Sequence, residues 1–171
     1  MISKKMTATL NKQVNAELYA GYLYLAMSAD AEDKGLKGTA NWFFVQAQEE
    51  TTHAHRIYTY IQRVGEKVVL EAIPKPHAKF KSMKAMFEAA LQHEQKVTGM
   101  IQAIVNQCTT EKDHATANEM QWFVAEQVEE EENVNDILGR IKLAGDAPGA
   151  LFMIDNELAA RVFTPPAASA E

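Results

Sequence analysis

The chain has one cysteine, Cys108, and so can form no internal disulfide, no Cys-x-x-Cys metal knuckle and no four-cysteine iron centre. Glycine and proline are scarce, 8 and 5 in 171 residues, leaving few points that break a regular backbone. No window offers ~20 consecutive apolar residues, and the start Met1-Ile2-Ser3-Lys4-Lys5-Met6-Thr7 has no continuous apolar signal core. No membrane association is expected, and the expected compartment is the cytoplasm. Positive charge is short as well: 17 Lys and Arg face 23 Asp and Glu, for a formal net charge of −6. That balance argues against a nucleic-acid partner, whose phosphates must be met by Lys and Arg, and suits cationic partners instead. What remains is 47% hydrophobic and 23% charged, a composition for one well-filled core and a length too short for two ordinary domains. A single domain over 1–171 is expected.

Apolar residues recur at spacings of three and four through four long segments, about 4–34, 39–65, 83–111 and 114–144, with no sustained alternation of period two. These predict four long helices within a bundle of about 4–145. Gly35-Leu36-Lys37-Gly38 reads as a tight hairpin break, and Gly65 as the close of the second helix. Glu66 to Ser82 is a long connection containing Pro74-Lys75-Pro76, sufficient for a crossover along the bundle. Asp146-Ala147-Pro148 reads as a cap followed by a first-turn proline, opening a short fifth helix of about 147–161 before a tail of 162–171. Four long helices with one long middle connection predict an all-α, ferritin-like four-helix bundle rather than an up-and-down bundle with short loops throughout.

Each helix carries a polar residue within its apolar stripe. The first reads Leu10, Val14, Glu17, Gly21, Tyr24, and the second Phe43, Ala47, Glu50, Ala54, Ile57, with His53 three residues on from Glu50. The third reads Met83, Phe87, Ala90, Glu94, Val97, Ile101, Ile104, and the fourth Phe123, Gln127, Glu130, Val134, Ile137, Ile141. One glutamate on such a face is ordinarily a paired charge or a misjudged rotation. Four together, Glu17, Glu50, Glu94 and Glu130, have no Lys or Arg in any stripe and only His53 as a base. Unneutralised, they would cost far more than a domain's stability of roughly 5–15 kcal/mol. Two divalent cations would balance them.

An internal symmetry supports the grouping: 33 residues separate Glu17 from Glu50, and 33 separate Glu94 from Gln127, with Glu130 at the place that His53 holds in the first half. Glu17 with Glu50-x-x-His53 is half of a di-iron constellation, single glutamates on two helices and Glu-x-x-His on two others. The second half departs from it as Gln127-x-x-Glu130. Carboxylates with one imidazole suit a metal that moves between Fe(II) and Fe(III), whereas a structural zinc site would offer Cys and His. Iron is the expected metal.

On Asn15-Ala16-Glu17-Leu18-Tyr19, Gln48-Glu49-Glu50-Thr51-Thr52-His53, His93-Glu94-Gln95 and Gln121 to Glu130, the sequence resembles the bacterial and archaeal non-haem ferritins over nearly its whole length. The resemblance implies that Glu17, Glu50 and His53 hold one iron, and that Glu50 bridges to a second also held by Glu94 and Glu130. It places Gln127 beside the pair and a third, weaker iron on Glu49, Glu126, Glu129 and Glu130. It further implies a ferroxidase that oxidises Fe(II) with dioxygen or hydrogen peroxide, and a hollow homo-oligomeric shell, usually of twenty-four subunits, that stores ferric oxyhydroxide. Two departures separate the chain from the haem-containing bacterioferritins: Gln127-x-x-Glu130 replaces a second Glu-x-x-His, and Thr51 stands where they carry methionine. No haem is expected by that route.

Tyr24 and Trp122 are candidate electron donors, the former from the resemblance, although buried aromatics mostly serve packing. Glu131 and Glu132 are read as a solvated face; His55, His77, His93 and His114 as surface residues; Cys108 as a small core residue. The alternative enzyme class is a di-iron peroxidase or oxygenase on the same bundle, against which stand the missing cysteine-ligated iron domain and the unequal metal positions. A helical scaffold without a metal should have an apolar interior, and the four core carboxylates speak against it.

Overall fold

The four long stripes and the fifth segment all become helices: α1 Lys4–Asp33, α2 Lys37–Arg63, α3 Met83–Glu111, α4 His114–Ala144 and α5 Pro148–Leu158. The computed structural model describes residues 2–165, so the expected tail lies outside the described residues from position 166 on. Their starts follow local chemistry. Ser3 Oγ accepts from Met6 N at 2.9 Å, Ser82 Oγ from Ala85 N at 3.2 Å, and Asp113 Oδ1 from Thr116 N at 3.0 Å, each satisfying a donor that a helix leaves unpaired. Gly35 and Gly65 adopt φ of 75° and 80°, the left-handed geometry that closes α1 and α2, with Leu36 N and Glu66 N reaching back to Ala31 O and Ile61 O.

The connection between α2 and α3 runs the length of α1. Asn11 binds both Lys67 O and Val69 N, Asn15 Oδ1 accepts from Glu71 N, and Asp30 Oδ2 accepts from Phe80 N. From Asn11 to Asp30 is ~28 Å of helix at 1.5 Å per residue, so the segment is a crossover. It sets α3 antiparallel to α1, as Ser3 with Glu111 and Thr9 with Gln107 also show. Hairpins α1–α2 and α3–α4 thereby close a four-helix bundle, with α5 against the starting end of α2.

Two apolar clusters fill the interior. One gathers Tyr24, Met27, Phe43, Met86, Phe87 and Ile137; the other Leu10, Val14, Ile57, Ile101, Ile104 and Phe123, with Cys108 buried at its edge as expected. The four glutamates lie in a polar layer between them. Among the described residues no helix is long and apolar enough to cross a membrane.

Two local expectations fail at α5. Its first turn has Pro148 as expected, but the residue before the helix is Ala147 with no side-chain cap, so Asp146 does not cap it, and it ends at Leu158 rather than about 161. Gly38 is not part of the hairpin break: α2 begins at Lys37, two residues earlier than predicted, and places Gly38 against the α5 backbone. A Cβ there would lie 1.5 Å from Asp155 O and 2.9 Å from Ala159 N. The approach lets Asp155 cap α2, its Oδ2 accepting from Gly38 N at 3.0 Å and its Oδ1 from Thr39 N at 2.8 Å and Thr39 Oγ1 at 2.7 Å. Asn41 answers by donating to the carbonyls of Leu158, Ala159 and Arg161 at and just beyond the C-terminal end of α5.

Gly38→Ala should therefore destabilise the subunit. The helix-propensity gain of ~0.5–1 kcal/mol is smaller than the overpacking cost of about 1–3 kcal/mol, and here the obstruction is backbone that cannot rotate aside. The measurement is a thermal or denaturant midpoint; an unchanged or raised midpoint contradicts the close approach.

Candidate metal centre

Heptad-like stripes on four helices converge at one depth. Glu17 comes from α1, Glu50 and His53 from α2, Glu94 from α3, and Gln127 and Glu130 from α4; none is more than 5% exposed. Two sets of three share one member. Glu17, Glu50 and His53 form one, and Glu50, Glu94 and Glu130 the other, the potential ligand atoms in each lying within 4.8 Å of one another. Glu50 stands between the two, with Oε2 3.5 Å from His53 Nδ1. The side chains brought together are those that the resemblance groups around two metal positions.

The carboxylates are met by neutral donors. Gln13 Nε2 donates to Glu17 Oε1 at 2.8 Å, and Gln46 Nε2 donates to Glu130 Oε2 at 2.6 Å and Glu50 Oε1 at 3.2 Å. Gln127 Nε2 donates to Glu94 Oε2 at 3.2 Å and to Thr98 Oγ1 at 3.3 Å, while the Tyr24 hydroxyl donates to Glu94 Oε1. Glu17 Oε2 is buried with no hydrogen-bond partner. A buried acceptor left unpaired costs ~1–3 kcal/mol, more when charged, so the layer is incomplete as protein alone.

Burial, reinforced by neighbouring carboxylates, raises the pKa of this group. Glu17 is raised well above the ordinary range by burial and then by Glu50, Glu50 by burial and Glu94, and Glu130 by burial, Glu94 and Glu50. Glu94 is raised by burial, partly offset by its bonds from Tyr24 and Gln127. Tyr24 is itself held well above its usual value by burial and Glu94, so its hydroxyl keeps its proton. Hard oxygen donors, one imidazole and an unmatched acceptor fit a divalent or trivalent cation of the iron type.

The outer acidic residues are arranged differently from the implied third position. Glu126 Oε1 lies 3.9 Å from His53 Nε2, and His53, Glu126 and Glu130 form a third potential ligand set. Glu129 is exposed and joins none of these sets, and Glu49 is paired with Arg161. Trp122 packs its ring 5.4 Å from that of His53, with the Arg56 guanidinium 4.3 Å from the Trp122 ring centroid.

Other readings divide. His55, His77 and His114 are exposed, as predicted. His93 is not a surface residue: it is partly buried between Tyr19 and Tyr24, its Nε2 has no partner, and burial followed by Lys96 lowers its pKa to about 4. Glu132 is exposed, but Glu131 is half-buried and accepts from Thr98 Oγ1 at 2.6 Å. Sequence reasoning missed Gln13, Gln46 and Arg161. The first two were accessible as residues one turn before Glu17 and Glu50 on the same face; Arg161 carried no periodic signal.

A family model described as a ferritin-like domain matches residues 7–144. The bacterial non-heme ferritin of Campylobacter jejuni is 38% identical, over 91% of this chain and 93% of its own length. That of Staphylococcus saprophyticus is 38% identical over 95% and 98%. A crystal structure of an open pore ferritin from the archaeon Archaeoglobus fulgidus superposes with a TM-score of 0.94 at 43% identity, covering 95% of this chain and all of that one.

Proposed function

The chain belongs to the ferritin family, and from that premise we propose that it is an iron-storing ferroxidase: it binds Fe(II) as substrate, oxidises it in pairs and passes the ferric product to a mineral inside a homo-oligomeric shell. The observation that carries the reading is the sharing of Glu50 between two buried ligand sets, Glu17–Glu50–His53 and Glu50–Glu94–Glu130. A shared carboxylate holds two ions close enough to give up one electron each in a single event. Dioxygen takes both electrons with two protons and leaves as hydrogen peroxide, or hydrogen peroxide is reduced to water. The ferric ions then hydrolyse and release protons.

The two positions are unequal. The first has an imidazole; the second has carboxylates only, with Glu130 at the place of a second histidine and Gln127 supplying an amide beside Glu94. Fewer strong donors favour release of the ion to storage. Glu126, sharing the face of His53 and Glu130, offers the next stop outward, and Glu49 can join only by leaving Arg161. Tyr24, hydrogen-bonded to Glu94 and protonated, is placed to give an electron together with its proton.

The test is aerobic Fe(II) loading of the purified protein, followed by size exclusion and iron analysis of the eluted peak. A large assembly that retains many irons per subunit is expected. A small oligomer holding about two irons per subunit, the count a fixed di-iron oxygenase would show, overturns the storage reading.

A further inference from the structure

Arg161 follows α5, far in sequence from every residue of the metal centre, yet its side chain ends beside it. Four contacts hold the guanidinium. One nitrogen donates to Gln46 Oε1 at 2.8 Å and to Trp42 O at 3.3 Å, the other donates to Glu49 Oε2, and the group lies 4.4 Å from the Trp42 ring centroid. Its backbone is fixed too, since Asn41 Nδ2 donates to Arg161 O at 2.9 Å.

Gln46 is fully buried and has two unlike ends. Its Nε2 donates to Glu50 Oε1 and Glu130 Oε2; its Oε1 faces Arg161. Turned over, the amide would direct its oxygen at two carboxylates and its NH2 at a guanidinium, losing three hydrogen bonds and setting like partners against each other. Arg161 therefore fixes which way Gln46 points. A planar guanidinium can serve Gln46 and Glu49 together in a set geometry, which a lysine's single ammonium cannot.

We propose that Arg161 is a positioning residue for the second metal position, acting through Gln46 to orient the carboxylates of Glu50 and Glu130. The inference rests on the two-metal reading above. Glu50 and Glu130 are two of the three members of the second set, and both receive the Gln46 amide. The first set keeps Glu17 and His53, which Gln46 does not touch. Loss of Arg161 should thus weaken the second ion selectively. Because the guanidinium binds the amide and Glu49 rather than the inner carboxylates, it orients the site without occupying it.

The experiment is an anaerobic Co(II) titration of the assembled protein, followed by visible absorption and circular dichroism, for wild type, Arg161→Gln, Gln46→Leu and the double variant. Wild type should take two equivalents; if it does not, the two-metal reading fails, and this inference with it. Arg161→Gln should keep the first equivalent and weaken the second by about 10-fold or more, as for groups that orient a metal's ligands. Gln46→Leu should show the same selective loss, and the double variant should be no weaker than Gln46→Leu alone. Wild-type affinity for the second equivalent in Arg161→Gln, or losses that multiply in the double variant, overturns the relay. Should Arg161→Gln not fold, Gln46→Leu with wild-type affinities for both equivalents overturns it as well.

Discussion

Replacing Glu50 with alanine is expected to abolish rapid paired oxidation of Fe(II) and to leave the bundle folded. Both ligand sets lose a member, and the only residue common to the two inner positions is gone. The loss of affinity should exceed the roughly 10–100-fold typical of groups outside a metal's own ligands. Stability should move little or rise without metal. The carboxylate is buried beside Glu17 and Glu94, and removing it relieves both its own desolvation and their repulsion. The cavity left behind opposes that gain, so Glu50→Gln, which keeps the volume and removes the charge, should stabilise the metal-free protein more clearly. Stopped-flow oxidation at wild-type rates in Glu50→Ala would falsify the assignment.

Metal should stabilise the protein strongly at neutral pH and progressively less as the solution is acidified. Glu17, Glu50, Glu94 and Glu130 all have folded pKa values raised above the ordinary glutamate value of 4.5. Between that value and the raised ones, the folded chain binds more protons than the unfolded chain. The stability carried by these protons is fully present below 4.5 and is lost as pH rises through the folded values, so the metal-free protein weakens on approaching neutrality. A cation replaces the protons there and restores what was lost. Saturating to 100 times Kd at one site contributes ~2.7 kcal/mol, or about 5–10 °C in a chain of this size, and a second site adds to it. Near the unfolded pKa, protons compete and the increment shrinks. Calorimetry with Zn(II) or anaerobic Fe(II) across this range checks the slope; an increment that is absent at neutral pH or grows on acidification contradicts a buried, carboxylate-rich centre.

The helices and the inner ligands were legible because both obey the helical period. Glu17, Glu50, Glu94 and Glu130 sit in step with Leu10, Phe43, Phe87 and Phe123, and a residue in step with the core is carried into it. What lay off the period was not legible. Gly38 looked like turn chemistry, yet its reason is the α5 backbone arriving from more than a hundred positions away. Arg161 sits beyond the last helix with no stripe to place it, and it splits the outer acidic group by claiming Glu49. His93, in no ligand constellation, reads as a surface residue, but Tyr19 and Tyr24 of α1 cover it, which the spacing of one helix cannot show.

The aspartate that caps α2 is encoded 116 residues after Thr39, the residue it receives twice. During synthesis α2 therefore emerges, and can pair with α1, long before its own first turn is completed. Arg161 emerges later still, so the hydrogen bond that sets Gln46 is absent until all five helices have been made. A nascent subunit thus carries its glutamates before it carries the guanidinium that fixes Gln46 against two of them. Completion of the centre therefore waits on a segment beyond the last helix rather than on the appearance of its ligands.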